Sequence, residues 1–171
     1  MKTYLHLVCL AVITISSFSL SSCNNSDDVG EIFLDKTWKL TKILADQNPP
    51  QEVYDYWDSE EARKKSLELL FEKGTFVISF SGFVKNNKID DGGYSGRATT
   101  SEISGKWTVD GDSRVFSTTQ TEINDGDPLG RAFIKALSLA DKYGGDSQNL
   151  QIFFTEGGKR RYLLFRVDNA E

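Results

Sequence analysis

A chain of 171 residues, 39% of them hydrophobic and 26% charged, is long enough for one domain with a core of its own. Its 25 acidic against 20 basic side chains give a net charge of −5, which excludes the basic footprint of a nucleic-acid binder and any electrostatic gain from an anionic membrane surface. Both cysteines (Cys9, Cys23) and the one histidine (His6) lie in the first 23 residues, so the rest of the chain can build neither a Ser-His-Asp or Cys-His nucleophile system nor the usual zinc and copper ligand sets.

Lys2 gives a short positive start, Tyr4 to Ile15 is almost wholly apolar, and small residues lead into Leu20-Ser21-Ser22-Cys23. This is the layout of a secretory signal, and its apolar run is shorter than the roughly 20 residues a membrane-spanning helix needs. The ending resembles a bacterial lipobox. That resemblance implies a diacylglycerol on the Cys23 thiol and cleavage before it, hence a lipoprotein of the outer membrane, periplasmic or surface-exposed. Residues 1–22 are then the signal, 23–31 a lipidated cysteine with a polar tether, and 32–171 the folded domain. With Cys23 acylated and Cys9 removed, no thiol remains for a disulfide. Ser26-Asp27-Asp28 resembles the acidic signal that sends some lipoproteins of gut anaerobes to the cell surface, and reads equally as solvated linker.

Thr37 to Leu44 opens the domain with the period-2 alternation of a half-buried strand, broken at Asn48-Pro49-Pro50. A helix is expected over about 58–73, with Asp58 and Glu61 as a capping box and Gly74 as its stop. Thr75 to Ser81 reads as a strand with Phe76, Ile78 and Phe80 on one face. Phe83 to Ile89 is a weaker strand with Asn86-Asn87 as a turn inside it. Asp91-Gly92-Gly93 reads as a turn, Gly96 to Ile103 and Lys106 to Asp110 as strands either side of Ser104-Gly105. Asp110-Gly111 is a hairpin signal from which Arg114 to Thr121 returns. A second helix is expected over about 128–143, with Asp127 as N-cap, Pro128 at its first position and Gly144-Gly145 as its end. Leu150 to Thr155 and Arg160 to Val167 form a last hairpin across Glu156-Gly157-Gly158. The sum is a mainly β chain: an antiparallel barrel of about seven or eight strands with two helical insertions.

Lys36-Thr37-Trp38-Lys39-Leu40, the run Glu61 to Leu70 and the segment from Ala132-Phe133-Ile134 to Lys142-Tyr143 together resemble an uncharacterised family of lipocalin-like lipoproteins from gut anaerobes. The resemblance implies a lipocalin-like barrel and an envelope location, and brings no activity with it. Lipocalins carry Gly-x-Trp on the first strand and an Arg on the last that packs over that Trp. Trp38 is suitably placed, Lys36 stands where the Gly belongs, and Arg166 is the candidate packing Arg.

The candidate ligand contacts are Tyr54, Tyr56, Trp57 and Trp107. The first three sit in the excursion between the first strand and the first helix, where rings with polar tips can cover a barrel mouth or fasten the helix to it. Trp107, with Phe76, Ile78, Phe80, Phe116, Phe154 and Phe165, points inward, where the same residues line a pocket or fill a core; the 11 phenylalanines favour a filled interior. Three acidic turns, at Asp90-Asp91-Gly92, Asp110-Gly111-Asp112 and Asn124 to Asp127, have oxygen ligands for calcium, but none matches an EF-hand loop, and Asp-Gly is an ordinary hairpin turn. Lys159-Arg160-Arg161 and Arg63-Lys64-Lys65 read as solvated faces. No catalytic residue, metal or cofactor is expected. The expected role is a non-enzymatic binding module for a small apolar ligand or an accessory subunit, its partners the membrane through the lipid anchor and a small apolar ligand or envelope protein, with no nucleic acid. The alternative is a structural or protein-interaction lipoprotein with a filled barrel.

Overall fold

The structure is a computed structural model that describes residues 28–53, 55–120 and 124–169. Residues 1–22, expected to be a signal, and the candidate residues Cys23 and Tyr54 lie outside the described residues. A short helix α1 (Val29–Phe33) leads into β1 (Thr37–Ala45), the two-residue strand β2 (Gln51–Glu52), helix α2 (Glu60–Phe71), and strands β3 (Val77–Ser81), β4 (Lys88–Arg97), β5 (Glu102–Asp110) and β6 (Val115–Gln120). Helix α3 (Pro128–Ser138) and strands β7 (Ala140–Gly145), β8 (Asn149–Glu156) and β9 (Lys159–Val167) follow. The sheet order is β2-β1-β3-β4-β5-β6-β7-β8-β9, and β1 also pairs with β9, so eight strands close an antiparallel barrel of the expected lipocalin-like kind with β2 outside the ring. Closure leaves the ring without the two open edges of a flat sheet.

Alternation on β1 and β9 sets the barrel wall. Trp38 and Leu40 turn inward opposite Val167 and Phe165, until a bulge between Leu40 and Lys42 re-aims the rest of β1. The chain enters at one mouth, which carries α1, the loop 82–87, the turn 111–114 and the turn 146–148. The opposite mouth carries the 46–57 excursion, the turn 98–101 and the β8–β9 turn. There Gly157 and Gly158 both take positive φ (57° and 75°), the conformation a two-residue hairpin turn requires.

The interior is filled. All seven residues read as inward-facing, Trp107, Phe76, Ile78, Phe80, Phe116, Phe154 and Phe165, are buried. Phe33 of α1 enters from the near mouth, its ring centroid 5.0 Å from Trp107, 5.1 Å from Tyr143, 5.3 Å from Phe80 and 5.6 Å from Phe116. The apolar stripe of α3 supplies Phe133, which meets Phe76 at 5.8 Å and Phe165 at 6.1 Å. Trp107 fits because residue 92 is glycine: a Cβ there would lie 2.1 Å from the indole nitrogen, which instead donates to the Ser81 carbonyl at 3.0 Å.

Several expectations are corrected. Residues 29–31 belong to the folded domain and not to the tether, because Val29, Ile32 and Phe33 are buried in the core and Asp28 caps the helix by accepting from the Gly30 amide at 2.8 Å. The first large helix is capped by Ser59, whose Oγ accepts from Ala62 at 3.1 Å, not by Asp58. The second stops at Ser138; 140–145 is strand β7, which fills the gap between β6 and β8, so Gly144-Gly145 is strand and not a helix end. Asp91-Gly92-Gly93 lies inside β4 at a bulge, and Ser104-Gly105 inside β5. Phe83 to Asn87 is loop, with Asn86 and Asn87 at positive φ turning the chain between Lys85 and Lys88. Arg166 is exposed; the cation over Trp38 is Lys36, 5.6 Å from the ring centroid.

Candidate functional site

An apolar cleft of about 230 Å³ lies between β1, β2 and α2. Leu40 and Ile43 of β1 form its floor, Val53 and Trp57 one wall, Leu67 of α2 and Leu129 of α3 the other, and Phe71 its rim. Phe71 is the last residue of α2 and is 84% exposed, a large aromatic left in water at the edge of an apolar recess. Lys42 and Glu52 pair across the strands that border the cleft. These groups offer contact area and no reactive centre. The volume is below the roughly 300–1,000 Å³ of sites that enclose a drug-sized ligand.

Trp57 is fixed in the cleft wall by a buried relay. Its indole N–H donates to Ser66 Oγ at 2.8 Å, and that hydroxyl donates to the Asp127 carboxylate at 2.7 Å. Asp127 in turn accepts from Leu129 and Gly130 at 2.9 and 3.2 Å and so caps α3. Ser66 is fully buried on α2, which explains a small polar residue in the middle of an otherwise apolar helix face. One hydroxyl therefore ties the excursion, α2 and α3 together.

Tyr56 faces the other way, its ring 6.1 Å from Trp57 and edge-on to it. Its hydroxyl accepts from Arg161 at 2.8 Å, and the guanidinium sits 5.1 Å from the ring centroid. Arg161 shares a face of β9 with Leu163 and Phe165 and is 5% exposed. Asp55 pairs with one guanidinium nitrogen and Glu156 with the other at 3.2 Å. Desolvation pushes the Asp55 carboxyl up, but the Arg161 hydrogen bond and charge, helped by Lys159, outweigh it and hold the carboxyl below the usual range. Burial pushes the Tyr56 hydroxyl up to about 12 against the pull of Arg161. The result is an ion cluster that straps the excursion across the far mouth.

The four candidate contacts thus separate. Trp57 lines the cleft. Tyr56 lines a separate shallow depression with Asp55, Glu156 and Arg161 instead. Trp107, 1% exposed, lies in the filled interior and presents no open face to a ligand. Tyr54 is outside the described residues. Arg161 is buried, not part of a solvated basic face as the run Lys159-Arg160-Arg161 suggests; the signal that places it is its period-2 spacing from Leu163 and Phe165.

The acidic turns use their oxygens on the protein itself. Asp91 pairs with Lys106 at 2.8 Å, and Asp110 pairs with Lys88 at 2.7 Å while accepting from the Asp112 and Ser113 amides. Asp125, 1% exposed, accepts from the amides of Thr99, Thr100, Ser101 and Asp127 at 2.9–3.2 Å and from the Thr99 hydroxyl. Among the described residues no group of three His, Cys, Asp or Glu side chains is placed to hold a metal ion, and no helix is long and apolar enough to cross a membrane.

The sequence model of a domain of unknown function, DUF4847, matches residues 24–167. Among solved structures the chain is similar to the crystal structure of a DUF4847 family protein from Bacteroides vulgatus ATCC 8482. The two are 24% identical, with a TM-score of 0.59 over 84% of this chain and 99% of that one, a likeness that carries the fold alone. No curated protein matches the chain.

Proposed function

The chain belongs to the DUF4847 family, and from that premise we propose that it is a lipocalin-like lipoprotein of the cell envelope, anchored through Cys23, that acts without catalysis as an accessory binding module. Its cleft between β1, β2 and α2 holds one apolar group. The observation that carries this reading is the pairing of a filled barrel with an apolar cleft outside it, rimmed by an exposed Phe71. Because Phe33, Trp107 and Phe133 occupy the space in which a lipocalin holds its ligand, recognition is assigned to the outer cleft. At about 230 Å³ the recess suits an apolar side chain of an envelope protein better than a whole lipid or sterol. Supporting the anchor are the signal layout of residues 1–22 and the single cysteine that follows it.

The test is native mass spectrometry of the protein taken from its own membrane, for the wild type and for Phe71→Arg with Leu67→Arg. A protein that accompanies the wild type and is lost from the double variant supports the reading. A small apolar adduct lost in the same way moves the cleft to ligand binding. Identical spectra with neither species leave the barrel a structural lipoprotein and overturn the cleft assignment.

A further inference from the structure

The near mouth exposes a large aromatic side chain at a place where the chain's course gives it a partner. Phe83 is 95% exposed and Val84 beside it 40% exposed, on the loop 82–87. That loop touches the point where the chain enters the fold. Asn87 Oδ1 accepts from the Val29 amide at 3.1 Å, and a Cβ on Gly30 would lie 3.2 Å from a Val84 methyl. Only five residue steps separate Cys23 from Asp28, a reach of at most about 18 Å. An acyl group on Cys23 therefore keeps this mouth within reach of the bilayer, while the Arg161 cluster lies at the opposite mouth.

We propose that Phe83 and Val84 form a second membrane contact, seated in the interface of the same bilayer that holds the acylated Cys23; this rests on the anchor reading above. The chemistry of the loop suits that position. Two apolar tips precede Lys85, an exposed cation on a flexible stem that can stay at headgroup level while its neighbours go deeper. The acidic surface of the chain gains nothing from anionic lipid, so the contact works by apolar insertion and not by charge. A weak contact suffices, because the anchor makes it intramolecular and raises its effective concentration. The barrel then stands on its near mouth, and the Arg161 cluster and the turn 157–158 face away from the membrane.

The experiment uses the full chain, expressed with its signal and purified from membranes. Intact mass first establishes the acyl groups on Cys23. Phe83→Cys and, at the opposite mouth, Lys159→Cys are then labelled with an environment-sensitive dye, the acylated chain having no other thiol, and reconstituted in phosphatidylethanolamine–phosphatidylglycerol vesicles carrying nitroxide lipid. The expected result is a blue-shifted dye at 83 quenched several-fold more than the dye at 159. Equal quenching at the two sites with the acyl mass present overturns the second contact and leaves the anchor standing. Absence of acyl mass overturns both.

Discussion

Phe33→Ala tests whether α1, by inserting this ring at the near mouth, stoppers the barrel. Phe33 is fully buried and meets four rings. An aromatic side chain buries roughly 150–250 Å², which at roughly 25 cal/mol per Å² is roughly 4–6 kcal/mol. Alanine keeps part of that area and the void closes partly, so the expected loss is about 3–5 kcal/mol, as for other core Phe→Ala changes. A domain with about 5–15 kcal/mol in hand still folds. The assay is urea unfolding followed by tryptophan fluorescence, since Trp38 and Trp107 lie within the core that α1 completes. With m of about 1–3 kcal/mol per molar, the midpoint falls by roughly 2 M. The variant also gains a dry apolar void, so saturating benzene should raise its midpoint and leave the wild type unchanged. A loss below about 1 kcal/mol, the ordinary size of a point-mutation effect, refutes the stopper. Benzene stabilising the wild type as strongly refutes the filled interior.

Asp125→Asn should cost about 2–3 kcal/mol near neutral pH, because several donors then face an uncharged oxygen or an amide. Burial pushes this carboxyl up, but the Thr99 hydroxyl and the amides of Asp127, Ser101 and Thr100 outweigh it, so its folded value lies below the ordinary one. Its stabilisation is therefore fully present above about pH 4 and is lost as pH falls through the folded value. Urea midpoints across that range should show the wild type converging on the variant, and a constant gap contradicts the assignment. Ser66→Ala should cost about 1–3 kcal/mol by orphaning the Trp57 N–H and one Asp127 contact, with a change in Trp57 emission; unchanged stability and emission would remove the relay.

Where local chemistry and tertiary need agreed, the sequence was readable. Asp127-Pro128 starts α3 as expected, and the Asp110-Gly111 and Gly157-Gly158 hairpins fall where their turn residues stand. Helix α1 escaped notice because five residues carry no periodicity; Phe33 and Val29 are held by the core and not by propensity. Strand β7 looked helical because Ala136, Leu137 and Ala140 continue a helical stripe, while the empty place between β6 and β8 decides the matter. Gly92 resembled a turn residue although its smallness serves the Trp107 ring on the next strand. Trp57, which lines the cleft, stands out in the sequence as part of an aromatic run before the first large helix, whereas Ser66 and Arg161 take their meaning from groups 61 and 106 residues away in sequence.

β6 meets β7 at Val115 opposite Lys142, and farther along it α3 lies alongside, with the Thr118 hydroxyl donating to the Leu137 carbonyl at 2.7 Å. A helix berthed where a strand would otherwise continue masks a stretch of edge without zipping it. If α3 lifts, the bared amides of β6 become a template for any extended chain that drifts past, another molecule of the same kind included. Helix α3 is thus also a guard against self-association, and loosening it would first be felt as clumping of the protein with itself.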